Sequence, residues 1–355
     1  MRSDSTGVPK TMDITRADIL NWLRETDPLK LETLWQAADE TRRDHVGQAV
    51  HLRGLLEISN ICVRSCAYCG IRSARTGLER YRMTAAEIVD TARRIANHNL
   101  GTVVLQAGED PGITRQWLST IIKRIKTETG LAITLSLGER SDTDLAAWRQ
   151  AGADRYLLRF ETSDRALYNR IHPPRPGQTY DRFDTLRWLA GLGYEVGTGV
   201  MVGIPGQTLA SLADDIEIFR ELDVDMIGLG PFLPHPDTPL GSLPPMGPEQ
   251  VPNDEMMTLK MLALTRLVCP NCNIPSTTAL STLSTTSREQ GLKAGANVIM
   301  PNFTPEKFRL LYEIYPSKAR VDVNNEQFPE LIKNRITALG RTVGQGPGRR
   351  PDQSH

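Results

Sequence analysis

Residues 55–70 read LLEISNICVRSCAYCG. The run LLEIS, 55–59, has the length and apolar content of a buried strand, with Leu55, Leu56 and Ile58 as its apolar members. A loop with Cys62, Cys66 and Cys69, spaced four and three apart, follows at once. Outward from this point the chain alternates. TVVLQ (102–106), LAITLSL (131–137), RYLLRFE (155–161), EVGTGVMVG (195–203), MIGLG (226–230), NIPSTTAL (273–280) and NVIM (297–300) read as strands. Helical periodicity falls between them, over 84–97, 114–128, 142–150, 180–190, 209–221, 254–267 and after Ser287. Thr84 with Glu87 predicts a capping box at the first of these helices. Short apolar strands alternating with helices predict parallel βαβ units. Eight of them predict an α/β fold of the (β/α)8 TIM-barrel type, with a doubly wound open sheet as the alternative.

The remaining chain flanks the barrel. Thr15 caps a predicted helix from Arg16, and Asp27 caps another that starts at Pro28. These helices make residues 1–50 an N-terminal helical extension, of which 1–12 read as a loose leader. Residues 51–305 form the barrel domain, and 306–345 a C-terminal extension with a helix over 326–339. Residues 346–355 read as a flexible tail.

Composition narrows the function. Lys plus Arg is 42 and Asp plus Glu is 42 in 355 residues, so the formal net charge is zero. No extended basic footprint for nucleic acid is indicated. No run approaches about 18 apolar residues, so no membrane span is expected. The N-terminus lacks the apolar core of a signal peptide. Five cysteines in an odd, clustered arrangement do not make a secreted disulfide framework, which points to a reducing cytoplasm.

Three soft thiolates on one flexible loop suit a [4Fe-4S] cluster. Three ligands leave one iron without a protein donor, open to an exogenous molecule. Zinc is the alternative, drawing further ligands from Cys269 and Cys272.

The motif Cys62-Val-Arg-Ser-Cys66-Ala-Tyr-Cys69 resembles that of the radical S-adenosylmethionine superfamily. VLQAGEDPG (104–112), LLRFET (157–162), MVGIPGQT (201–208), GPFLPHPDTPL (230–240) and GANVIMPNFTP (295–305) are similar to segments of its HydE family, the [FeFe]-hydrogenase maturases. The resemblance runs from about residue 45 to 345. It implies a radical S-adenosylmethionine barrel and two cofactors, one cluster on Cys62, Cys66 and Cys69 and S-adenosylmethionine bound to its open iron. Reductive cleavage of the sulfonium then gives methionine and a 5′-deoxyadenosyl radical. The implied substrate is an iron–cysteine complex bearing carbon monoxide and cyanide, supplied by HydG. The product would pass to the HydF scaffold and apo-hydrogenase, with ferredoxin or flavodoxin as reductant.

The resemblance also implies residue roles. Gly108 and Glu109 would meet the methionyl ammonium, Tyr68 the adenine, and Glu161 the ribose or ammonium region. Arg182 would pair with the cofactor carboxylate. Gly203 and Pro205 would let the backbone approach adenine. Arg159, Thr134, Met226, Thr277, Thr278 and Tyr312 would line the substrate end. Arg159 and Glu161 stand two apart, on one face of a strand. His172 and His235 read as shaping the cavity mouth, and Asp237 receives no chemical role.

Two departures stand out. Arg320, Phe328 and Leu331 occupy positions where some HydE proteins carry three cysteines of an accessory site. Cys269-Pro-Asn-Cys272 is additional, and reads as a structural pair, a metal chelate or a redox pair. Methylornithine synthase, biotin synthase and a cluster carrier remain competing readings, although the second set of barrel cysteines expected of biotin synthase is absent.

Overall fold

The structure is a computed structural model that describes residues 14–174, 180–243, 247, 249–316, 318 and 328–351. The expected leader and Arg320 lie outside the described residues. Among the described residues eight strands run β1 (Ala49–Ser59), β2 (Thr102–Ala107), β3 (Ala132–Ser136), β4 (Arg155–Leu157), β5 (Glu195–Val202), β6 (Met226–Pro231), β7 (Val298–Ile299) and β8 (Thr342–Val343). All pairings are parallel, in the order β6-β5-β4-β3-β2-β1-β7, with β8 also on β1. The sheet curls into a half-open barrel with helices outside it, the partial form of the expected TIM barrel.

The local chemistry explains most boundaries. Thr84 and Glu87 cap each other at the start of the helix Ala85–Asn97, and Thr15 with Asp18 do the same for Arg16–Arg24. Asp27 caps Pro28–Val46, whose first residue needs no amide donor. Along the strands, alternate residues point inward. Arg53 and Leu55, Val104 and Gln106, Thr134 and Ser136, and Met226 and Gly228 line one interior cavity. The other set, including Leu56, Val103, Ile133 and Ile227, is fully buried against the helical layer.

Three expectations change. The strand predicted over 155–161 stops at Leu157, because Glu161 adopts a left-handed φ of 66° and rejoins β5 only as an isolated bridge to Val200. The strand predicted over 273–280 reduces to two bridges, Met226 to Asn273 and Pro275 to Val298, so the barrel closes on isolated pairings. A helix at Arg165–Ile171, which the sequence reading missed, is capped by Asp164.

The expected flexible tail is also corrected over its described part. The Pro347 carbonyl accepts from Thr102 Oγ1 (3.1 Å) and Arg155 Nη2 (3.0 Å). The Gly348 carbonyl accepts from Arg53 Nη2 (2.9 Å) and Asn273 Nδ2 (3.2 Å). These donors sit at the N-terminal ends of the barrel strands. The segment therefore straps the barrel floor, and buried polar groups supply the reason it stays there.

Candidate active site

The C-terminal ends of the strands hold the site, as barrel geometry favours. The cysteine loop is fixed from several sides. Ala67 N–H donates to the Ile171 carbonyl (2.8 Å), Gly70 N–H to that of Ile314 (3.0 Å), and Leu240 N–H to that of Ala67 (3.0 Å). The turn after β2 comes up against it. Val63 N–H donates to Glu109 O (3.1 Å), and Gly108 N–H to Ser59 O (3.1 Å). A Cβ on Gly108 would lie 2.4 Å from the Ile61 carbonyl oxygen, so only glycine permits this approach.

A cavity of about 220 Å³ opens here. Its lining includes Cys62, Cys66, Tyr68, Cys69, Gly108, Glu109, Arg159, Glu161, Arg182 and Tyr312. Below it, a cavity of about 150 Å³ is lined by Thr134, Arg159, Met226, Thr277 and Thr278, with Arg53 and Lys318. Arg159 belongs to both walls, as do Gln106, Ser136 and Ala279. The structure thus gathers the predicted cofactor-end residues above and most predicted substrate-end residues below. Tyr312 joins the upper group instead. Gly203 and Pro205 line neither cavity. Gly203 N–H donates to Gln207 Oε1 (2.6 Å), and the Pro205 carbonyl accepts from Arg170 (2.6 Å).

Arg159 Nη2 lies 3.2 Å from Glu161 Oε2, so the expected pair forms without a regular strand beneath it. Left-handed backbone at a glutamate is strained, and its neighbours hold it. Glu161 N–H donates to Gly199 O (3.0 Å), and Ser163 N–H to Asp215 Oδ1 (2.6 Å). Asp215 is fully buried, and burial pushes its carboxyl up to about 7. Between its ordinary value and that one, the folded chain keeps a proton the unfolded chain has released, so stability falls as pH rises. Asp215→Asn keeps the acceptor for Ser163. It is expected to exceed the parent in stability by about 3 kcal/mol at pH 8 and to match it below pH 4, read from urea unfolding at both pH values.

The polar centre of the upper cavity is a network that the sequence reading did not find. Glu139 follows β3 and is 3% exposed. Its Oε1 lies 2.9 Å from Arg182 Nε, 3.1 Å from His172 Nε2 and 3.7 Å from Arg64 Nη2. Burial alone would raise the Glu139 carboxyl, but the His172 hydrogen bond and the Arg182 and Arg64 charges hold it far below the usual range. Glu109 shifts the other way, because burial and the nearby Glu139 charge both oppose its ionisation. Burial and Arg182 push His172 down to about 4, leaving the ring neutral near pH 7. Its Nδ1 lies 3.0 Å from Cys66 Sγ. Arg182, expected to meet a cofactor carboxylate, also pairs with Glu139 of the chain. A sequence signal existed: Gly-Glu pairs, Gly108-Glu109 and Gly138-Glu139, stand within two residues of the ends of two consecutive strands.

The cofactor expectation is corrected by this network. Among the described residues, the side chains whose donor atoms converge within 4.8 Å of one another, as one metal ion requires, are Glu109, Glu139 and His172. Cys62, Cys66 and Cys69 are not that group. Burial raises the three thiols, Cys66 to about 12 and Cys62 and Cys69 upward as well. The metal-ligand geometry on display is therefore a carboxylate–imidazole group rather than a three-thiolate set. Arg64 and Arg182 already neutralise its carboxylates, so a cation there would have to displace two guanidinium groups.

Comparison with known proteins places the chain. The radical SAM superfamily model matches residues 56–237. The chain is 46% identical over 319 residues to the [FeFe] hydrogenase maturase subunit HydE of Thermotoga maritima, covering 90% of this chain and 89% of that one. It is 29% identical over 273 residues to the 3-methylornithine synthase of Methanosarcina acetivorans, covering 76% and 74%. The crystal structure of methylornithine synthase superposes with a TM-score of 0.78 at 25% identity, covering 93% of this chain and 94% of that one. Among the described residues no helix is long and apolar enough to cross a membrane. With the barrel, the loop and these similarities together, the chain belongs to the radical SAM superfamily, within its HydE family, and is a radical SAM enzyme.

Proposed function

We propose that this enzyme acts in [FeFe]-hydrogenase maturation, on a sulfur-containing iron–carbonyl–cyanide cysteine precursor of the diiron subcluster. The observation that supports this most is the stacked pair of cavities sharing Arg159, in a chain 46% identical to a HydE. The upper cavity, beside Tyr68, Gly108, Glu109 and Glu161, would take S-adenosylmethionine. The lower one is small and carries Arg53 and Arg159 on its wall, with the Thr134 hydroxyl buried and without a hydrogen-bond partner among the described residues. A compact anionic complex with a soft sulfur would satisfy both the charge and Met226. On this reading HydG supplies the precursor, HydF and apo-hydrogenase receive the product, and a ferredoxin or flavodoxin reduces the enzyme, all in the cytoplasm.

The likeness to methylornithine synthase supports a second reading, radical chemistry on a free amino acid in the same lower cavity. One anaerobic assay separates them. The reduced enzyme is given S-adenosylmethionine with either the synthetic iron–cysteine complex or a basic amino acid, and 5′-deoxyadenosine is measured. Release stimulated by the complex, with a modified iron product, is expected. Stimulation by the amino acid alone would transfer the assignment to the second reading. Arg159→Leu is expected to lose at least about tenfold in kcat/KM for the complex, since one charge-assisted contact is worth about 1.5–3 kcal/mol.

A further inference from the structure

Cys269 and Cys272 lie at the base of the barrel, away from both cavities. Cys269 ends the helix Glu255–Val268, and Cys272 N–H turns back to the Cys269 carbonyl (3.3 Å). A turn of this kind holds its end Cα atoms within about 7 Å, the range a disulfide bridges. The two thiols shift each other in opposite directions, Cys269 up and Cys272 down.

Their surroundings are unusual in charge. Arg266 is 0% exposed. Its guanidinium donates to the carbonyls of Gly295 (2.9 Å), Pro270 (2.7 Å) and Cys272 (2.8 Å) and to Asn297 Oδ1 (3.1 Å). Among the described residues no carboxylate reaches it, and the two cysteine sulfurs are the neighbours that favour its charge. A buried cation without a counter-ion is costly. Negative charge on either sulfur would offset it.

Arg350, from the floor strap, adds a second guanidinium beside Cys272, itself paired with Asp223 (2.5 Å) and near Asp225 (3.6 Å). Burial, Asp225 and the Val224 carbonyl, 2.7 Å from Cys272 Sγ, oppose ionisation. The Cys269 S–H is the largest influence that favours ionisation at Cys272, and the Arg350 and Arg266 charges add to it against burial and Asp225. Cys272 is therefore the more acidic thiol and Cys269 the proton holder.

We propose that Cys269 and Cys272 are a reversible oxidation site, forming a disulfide with hydrogen peroxide, with Cys272 as the attacking thiolate held by Arg266 and Arg350. The Cys272 sulfur breaks the peroxide O–O bond, takes one oxygen as a sulfenic acid and releases hydroxide. The Cys269 sulfur then displaces that oxygen as water and forms the S–S bond. The sulfurs give up two electrons, the peroxide gains them, and the thiol protons end in the two waters formed. Cys269 is 7% and Cys272 2% exposed, so a small oxidant such as peroxide suits the site.

The test uses the reduced full-length protein. It is exposed to peroxide, alkylated, digested and mapped by mass spectrometry. The peptide holding both cysteines should lose two hydrogens, escape alkylation and recover with dithiothreitol. In Cys269→Ser, dimedone should label Cys272. Arg350→Met should slow the reaction about tenfold for each tenfold loss of thiolate. Two thiols that still alkylate fully after peroxide has oxidised the other cysteines would overturn the proposal, and this readout needs no variant to fold. Dimedone on Cys269 in Cys272→Ser, with none on Cys272 in the reciprocal variant, would overturn the assignment of the attacking sulfur.

Discussion

Glu139→Leu is expected to cost about 3–5 kcal/mol of folding stability, the range for removing one partner from a buried ion network. The loss comes less from missing contacts than from what remains. Arg182, 7% exposed, and Arg64, 4% exposed, would keep only the longer ion pairs, Arg64 to Glu109 at 3.9 Å and Arg182 to Glu161 at 4.0 Å, among those described. Glu109 can answer in part. Without the neighbouring negative charge its own carboxyl ionises more easily, which places the expected loss toward the lower end. Glu139→Gln keeps an acceptor for Arg182 and should lose less. Urea unfolding checks both, and the sign of the pH dependence is fixed. The folded-state carboxyl lies below its unfolded value, so its contribution is complete above about pH 5 and fades as acid approaches the folded value. The gap between parent and Glu139→Leu should narrow below pH 4. A gap that stays constant would mean the carboxylate charge is not what the arginines require.

Ending the chain after Gly344 is expected to destabilise it by about 3–6 kcal/mol, since each buried donor left without its acceptor costs about 1–3 kcal/mol and entering water recovers part. Four donors lose their carbonyls together: Thr102, Arg155, Arg53 and Asn273. Arg155 keeps Glu195 at 2.6 Å, which limits its share. Among the described residues Arg53 has no carboxylate partner, only Met226 Sδ at 2.7 Å, and gains most from the strap. Gly101→Ala probes the same contact with a smaller change, because a Cβ there would stand 1.9 Å from the Gly346 carbonyl oxygen. It should fall in the same direction by less. A truncated chain whose unfolding midpoint matches the parent would show that the strap lies on the floor without supporting it.

The sequence reading reached the architecture because the strand and helix periods are clear over long stretches. TVVLQ and MIGLG became strands in place, and the Thr84–Glu87 box was read from two letters. It also placed Arg159 and Glu161 together, though by a route that failed. A two-residue period predicted one strand face, whereas a left-handed glutamate makes the contact instead. Backbone sign is set by neighbours such as Asp215 and Gly199, and those are distant in sequence. Glu139 was missed for a related reason. One glutamate before an arginine looks like a solvated turn until β3 sets it between Arg64 and Arg182. The same network moved the ligand-like convergence from the cysteines to carboxylates and an imidazole. The strap escaped because GPGRR has the composition of a loose end. Its anchors are backbone carbonyls, which leave no mark in the side-chain alphabet.

The strap also sets an order of events at the ribosome. The carbonyl that satisfies Arg53 is translated 295 residues after it, and β1 waits similarly for β7 and β8. A nascent chain therefore holds β1 with an incomplete edge until residues 298–348 have been made. Contacts of such long sequence separation form slowly and leave pairing edges open meanwhile. Stalled or prematurely terminated translation products should accordingly depend on chaperones far more than the finished chain does.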